Sequence, residues 1–192
     1  LLTEVRPKAC EAAGCRKEFV PRTSFQVWCS PSCGAKIARV KLRTAKAEKA
    51  AKDKAVRADF KRRKEAAKSL PELHVEAQRE FNRYIRLRDA GKPCICCGKP
   101  LKDTSLTGGG YDAGHYRSVG AAAHLRYTEN NVHAQRKYCN QHRAGNAVEY
   151  RLGLIARIGL QAVEELEASN APHKWTRDEV RQIRDTYRAR AN

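Results

Sequence analysis

Four strings between Cys94 and Asn146 decide how this sequence folds: CICCG (94–98), DAGHYRS (112–118), LRYTENNVH (125–133) and CNQHRAGN (139–146). Cys94 and Cys97 have the spacing that presents two thiolates to one metal ion, and Gly98 follows them as a tight metal-binding turn requires. Asp112, His115 and Asn131 come next, and Asn140 adjoins Cys139. Short extended segments are expected around Asp112–Tyr116 and Leu125–Tyr127. Gly108–Gly110 reads as a loop without the lysine and helix of a phosphate-binding turn.

On either side of this stretch the pattern is helical. Leu73, Ala77, Phe81, Tyr84 and Ile85 recur at helical spacing between Pro71 and Gly91. Val148, Leu152, Ile155 and Ile158 form a second stripe, ended by Gly159. Thr176 and Glu179 are spaced as a capping box before Val180, Ile183 and Tyr187.

Further out, residues 35–69 are almost entirely Ala, Lys, Arg and a few acids, uninterrupted by Gly or Pro, so a single helix is expected. This segment carries ten of the chain's +18 formal charges. Its apolar residues are too sparse for a coiled-coil seam. It reads as a solvated spacer or as a helix that lies along phosphates. Cys10-x4-Cys15 and Cys29-x3-Cys33 precede it and supply four thiolates in two pairs, enough to close a structural zinc site with no position left for water.

The bulk composition agrees. Lys and Arg outnumber acids 39 to 21 over 192 residues, so a polyanion, above all nucleic acid, is the expected partner. No apolar run is long enough for a bilayer. No secretory signal pattern opens the sequence, so metal ligation rather than disulfide pairing is expected of its eight cysteines.

The order of residues from Cys94 to Asn140 resembles HNH (ββα-metal) endonucleases. In those, a CxxC turn precedes a hairpin with an acid and a histidine, then a loop asparagine, then a ligand pair opening a helix. Hydrolysis of a phosphodiester needs a base for water and a cation for the developing charge. His115 suits the base, being neutral near pH 7. Asp112 and Asn140 suit a hard cation, Mg²⁺ or Mn²⁺. Asn131 would orient the histidine or brace the loop. The strings quoted above, with WCSPSCG (28–34), the charged helix and the tail RIGLQAVEELE (157–167), further resemble the NinG (Rap) family of lambdoid phages.

That resemblance implies a structure-specific endonuclease acting on branched recombination intermediates in the bacterial cytoplasm. A two-fold branched substrate would favour a homodimer. The family pattern has a cysteine where Arg136 stands, so the second zinc is expected on Cys94, Cys97 and Cys139 with His142 as replacement, Cys96 and His133 being alternatives. The wider Asp112-x2-His115 spacing puts more weight on His115 than on Asp112.

The expected architecture is therefore helix-rich α+β. It comprises a zinc finger (6–34), a basic helix (35–70) and an HNH-like nuclease domain with flanking helices (71–192). A non-catalytic zinc-containing nucleic-acid-binding protein is the alternative, and an RNA-binding or scaffold role a third.

Overall fold

β1 (Lys8–Ala9) and β2 (Glu18–Phe19) pair antiparallel with only two residues each. The core under them is equally small: Cys10, Ala12 and Cys33, with Phe19 and Ile37 packed against it. The computed structural model, which describes residues 6–101 and 110–192, divides the chain into two units, Leu1–Ala67 and Lys68–Asn192. The first contains this finger and α1 (Pro31–Ala67). At 1.5 Å per residue, α1 is about 55 Å long. It begins four residues before the expected start, because Pro is at home in a first helical turn and the Ser30 hydroxyl accepts the Cys33 N–H at 3.3 Å. Cys33 is its one buried residue; Val40, Leu42, Val56 and Phe60 stay exposed, in keeping with the missing seam.

The second unit is built on α2 (Leu70–Arg88), which starts at a Ser69–Glu72 capping box with Pro71 in its first turn. Leu73, Ala77, Phe81 and Ile85 are fully buried on one face. They pack with Val180 and Tyr187 of α6 (Arg177–Arg190), whose expected Thr176–Glu179 capping box is present. The Phe81 and Tyr187 rings meet edge to face at 4.7 Å.

β3 (Tyr111–His115) and β4 (Val132–Arg136) form an antiparallel hairpin that places Asp112 opposite Gln135 and His115 opposite Val132. α3 (Lys137–His142) follows β4 directly. α4 (Ala147–Ile158) and α5 (Leu160–Ala168) are separated by Gly159 at φ +87°, a left-handed position that a side chain would strain. A second core joins Ile95, Leu125, Tyr150, Leu154, Val163 and Leu166.

Asp89 ties α2 to the hairpin. Its buried carboxylate accepts from Arg88 Nε and Nη2, from Lys92 Nζ and from the Ala134 N–H at 2.9–3.1 Å. Burial disfavours this charge, but His133, Arg88 and the Ala134 N–H outweigh it and hold the carboxyl far below the usual carboxylate range.

Two expectations change. Leu125–Tyr127 is not extended: a 3₁₀ turn spans Ala123–Leu125, and the second strand is β4. The alternation of β4 is hidden because Val132, His133, Ala134 and Gln135 are all buried on both faces. In α4 the expected stripe is rotated. Val148 and Leu152 are exposed, and Tyr150 and Leu154 carry the buried face. The Gly108–Gly110 loop, apart from Gly110, lies outside the described residues.

Candidate functional site

His115 closes β3, and its position is set by a backbone atom. Nε2 lies 3.0 Å from the Arg126 carbonyl oxygen. A carbonyl only accepts, so Nε2 carries the hydrogen and Nδ1 is left as the basic nitrogen. Burial lowers the pKa of the ring below the ordinary histidine value; the bond to the Arg126 carbonyl opposes this and the Arg126 side chain adds to it, and the net shift is downward, which favours the neutral imidazole at pH 7.

The loop that delivers Arg126 is braced by Asn131, which is fully buried. Its Nδ2 donates to the Arg117 and Leu125 carbonyls at 3.0 and 3.2 Å, and its Oδ1 accepts the Arg117 N–H at 2.8 Å. These three bonds go to the backbone of Arg117 and Leu125 and none of them to the His115 ring.

His115 and Asn140 line one open cavity of about 320 Å³, together with Tyr116, Ser118, Gly145 and Tyr150. Asp112 is not among the residues lining it. Alternation along β3 sends Asp112 and His115 to opposite faces. Asp112 instead takes Asn140 Nδ2 at 3.0 Å and Gln141 Nε2 at 2.9 Å on its Oδ2. A carboxylate accepts only, so the amide nitrogen of Asn140 faces Asp112 and its carbonyl oxygen faces away, which makes that oxygen available to a cation. The expected trio is thus brought together in part: His115 and Asn140 share the cavity, and Asp112 reaches it through Asn140.

Gly114, beside His115, has a steric reason. A Cβ there would lie 2.1 Å from Gln135 Oε1. Gln135 is buried, donates to the Gly145 carbonyl at 2.6 Å and contacts Cys96 Sγ at 3.4 Å. Tyr150 Oη donates to the Gly114 carbonyl at 2.8 Å and accepts the His133 N–H at 3.1 Å. Arg126, Gln135 and Tyr150 do not stand out in the sequence, because carbonyl contacts and cross-sheet packing leave no local pattern.

Two clusters of four cysteines can hold a metal: Cys10, Cys15, Cys29 and Cys33, and Cys94, Cys96, Cys97 and Cys139. In each, the sulfurs lie within 4.8 Å of one another. Four thiolates at about 2.3 Å from zinc would form a tetrahedron with edges of about 3.8 Å. The separations of 3.5 Å for Cys15–Cys29, 3.8 Å for Cys29–Cys33 and 3.5 Å for Cys94–Cys96 fit that size.

In the second cluster the Gly98 N–H bonds to the Cys94 carbonyl at 3.0 Å and the Arg136 N–H bonds to Cys94 Sγ at 3.3 Å. At Cys97, burial opposes the thiolate, but the Lys99 N–H and the neighbouring thiols bring its pKa down to about 7. The expected ligand His142 is replaced here. Its side chain is exposed and packs against Tyr138, while Cys96 occupies the fourth corner. Arg136 meets the cluster through its backbone N–H at Cys94 and its side chain at Cys97, and the fourth thiolate comes from within the CICC turn.

A family model described as bacteriophage lambda NinG protein matches residues 4–192. The ninG protein of Salmonella phage P22 is 42% identical over 194 residues, covering 94% of this chain and 90% of its own. The ninG protein of Escherichia phage lambda is 42% identical over a similar span, 94% of this chain and 89% of its own. No solved structure matches the chain. No helix among the described residues is long and apolar enough to cross a membrane.

Proposed function

Since this chain belongs to the NinG family of bacteriophage proteins, we propose that it is a metal-dependent, structure-specific endonuclease of the HNH type that cuts branched DNA in the infected host cell. One observation carries this reading: the neutral His115 and the amide of Asn140 open onto one cavity, with Asp112 bonded behind Asn140.

His115 Nδ1 takes the proton of the attacking water, while the Arg126 carbonyl holds the ring in the one tautomer that can do so. Asn140 would offer its amide oxygen to a Mg²⁺ or Mn²⁺ ion, which when bound would neutralise the phosphate and the leaving oxygen, while Asp112 would act on that ion from behind Asn140. Asp112 also fixes the orientation of the Asn140 amide. The hydrogen bonds of Asn131 keep the 116–131 loop, and with it the Arg126 carbonyl, in place.

The two cysteine clusters hold structural zinc, the second of them adjacent to Asn140 in sequence. Over residues 35–69, which α1 dominates, fourteen cations against four acids bind phosphates without reading sequence. The two-fold symmetry of a four-way junction suits a dimer.

The test is cleavage of a labelled four-way junction, a D-loop and a plain duplex, with Mg²⁺ and with Ca²⁺ in its place. Mg²⁺-dependent cutting of the branched substrates in preference to the duplex is expected. Binding of all three with no cutting would replace this reading with that of a non-catalytic zinc protein for nucleic acid.

A further inference from the structure

Tyr138 is the one large aromatic left exposed in the second unit among its described residues, at 54%. It lies on α3, the helix that carries Asn140 to the cavity. The His142 ring is 6.0 Å from the Tyr138 ring, tilted by 36°, and Arg143 Cζ sits 5.6 Å over the same ring. His142 and Arg143 are themselves exposed. From Asn130 to Val148 the sequence contains Arg136, Lys137 and Arg143 and no acid at all. Packing does not explain an aromatic ring at this place: Cys139, between Tyr138 and Asn140, is the buried residue of the helix.

We propose that Tyr138, His142 and Arg143 form a stacking platform for an unpaired nucleobase of the DNA strand held at the cavity. The proposal rests on the nuclease reading and deepens it, naming the feature of branched DNA that is recognised. An unpaired base offers the π face that a duplex hides. An aromatic ring with a guanidinium beside it binds that face whatever the base, through stacking and cation–π attraction. On and beside α3 the cations Arg136, Lys137 and Arg143 outnumber Asp112, the acid that accepts from Asn140 and Gln141, and this basic balance suits the flanking phosphates. A six-residue helix is about 9 Å long and 10 Å across. At about 3.4 Å per stacked nucleotide, the captured base lies within about three nucleotides of the bond at the cavity.

The test uses the full zinc-loaded chain in Ca²⁺, with 2-aminopurine at an unpaired position of a forked DNA and a plain duplex beside it. Binding should quench the 2-aminopurine. Stacking contributes about 1–3 kcal/mol per base, so Tyr138→Ala should weaken fork binding about 5- to 150-fold and abolish the quenching. Duplex affinity should be unchanged, and Tyr138→Phe and Tyr138→Trp should behave as the native chain. Zinc content is measured alongside, because Tyr138 precedes Cys139. Should Tyr138→Ala lose zinc, Tyr138→Leu, which keeps bulk without a π face, takes its place with the same expectations.

Equal weakening on fork and duplex, or none on either, would overturn the platform. The nuclease reading fails separately. A chain that quenches and depends on Tyr138 but never cuts refutes that reading alone, whereas one that cuts, and in which Tyr138→Ala has no consequence, refutes the platform alone.

Discussion

Replacing Cys96 by Ser separates the ligand set found in the structure from the one the sequence suggested. The sulfurs of Cys94, Cys96, Cys97 and Cys139 lie within 4.8 Å of one another, and Cys94 and Cys96 are 3.5 Å apart, close to a tetrahedral edge around zinc. A structural zinc site of this kind binds with about 10–16 kcal/mol. If four thiolates share that roughly equally, one contributes about 2.5–4 kcal/mol, and its loss weakens the site on the order of a hundred-fold. His142 faces solvent beside Tyr138, so His142→Ala should change zinc affinity by less than about two-fold.

The assay is competition against a chromophoric chelator, read beside native mass spectrometry. The native chain and His142→Ala should each carry two zinc ions, and Cys96→Ser should release one at chelator concentrations that leave the other bound. Arg136→Cys should add nothing, because the fourth corner is already filled. Loss of the second zinc in His142→Ala with retention in Cys96→Ser would refute the reasoning.

Three further outcomes follow from the geometry. The acid limb of the single-turnover rate should fall below pH 6.5, since burial lowers the pKa of His115 and the base works only when deprotonated; a midpoint above 6.5 in a pH–rate profile would contradict this. Asp89→Asn should destabilise the second unit by about 3–5 kcal/mol at pH 7, in chemical denaturation, by leaving Arg88, Lys92 and Arg157 without their buried counter-charge. The carboxyl is depressed in the folded chain, so its contribution is complete above about pH 4, and the gap in stability between the native chain and Asp89→Asn should shrink as pH falls below that value. Replacing Lys61, Arg62, Arg63 and Lys64 by Ala should lower the salt slope of DNA binding by about 0.9 per contact removed and weaken all sequences alike, in titrations from low to high salt; an unchanged slope would make α1 a spacer.

What can be read from the sequence follows from how local each signal is. The α2 face and the α6 capping box are legible because helical spacing and Thr176–Glu179 are short-range patterns. The paired cysteines of the finger are legible for the same reason. β4 is not, because burial on both faces removes the alternation that marks a half-exposed strand. Nor is the buried face of α4, where Val148 and Leu152 look like core and Tyr150 is in it. His115 can be picked out as a residue type, but the carbonyl of Arg126 that fixes its tautomer cannot, since a backbone oxygen has no identity in sequence. His142 ranks above Cys96 in sequence because i to i+3 spacing on a helix is a familiar ligand pattern, whereas three thiolates from one four-residue turn are brought together only by the turn itself.

The central claim, that His115 is the base of a DNA-cutting site, is tested most directly by single-turnover cleavage of a labelled four-way junction in Mg²⁺ at saturating protein. The account predicts that the native chain cuts and that His115→Ala keeps its fold, both zinc ions and its affinity for the junction in Ca²⁺, yet cuts at least ~100-fold more slowly. Cutting by His115→Ala at the native rate would contradict it.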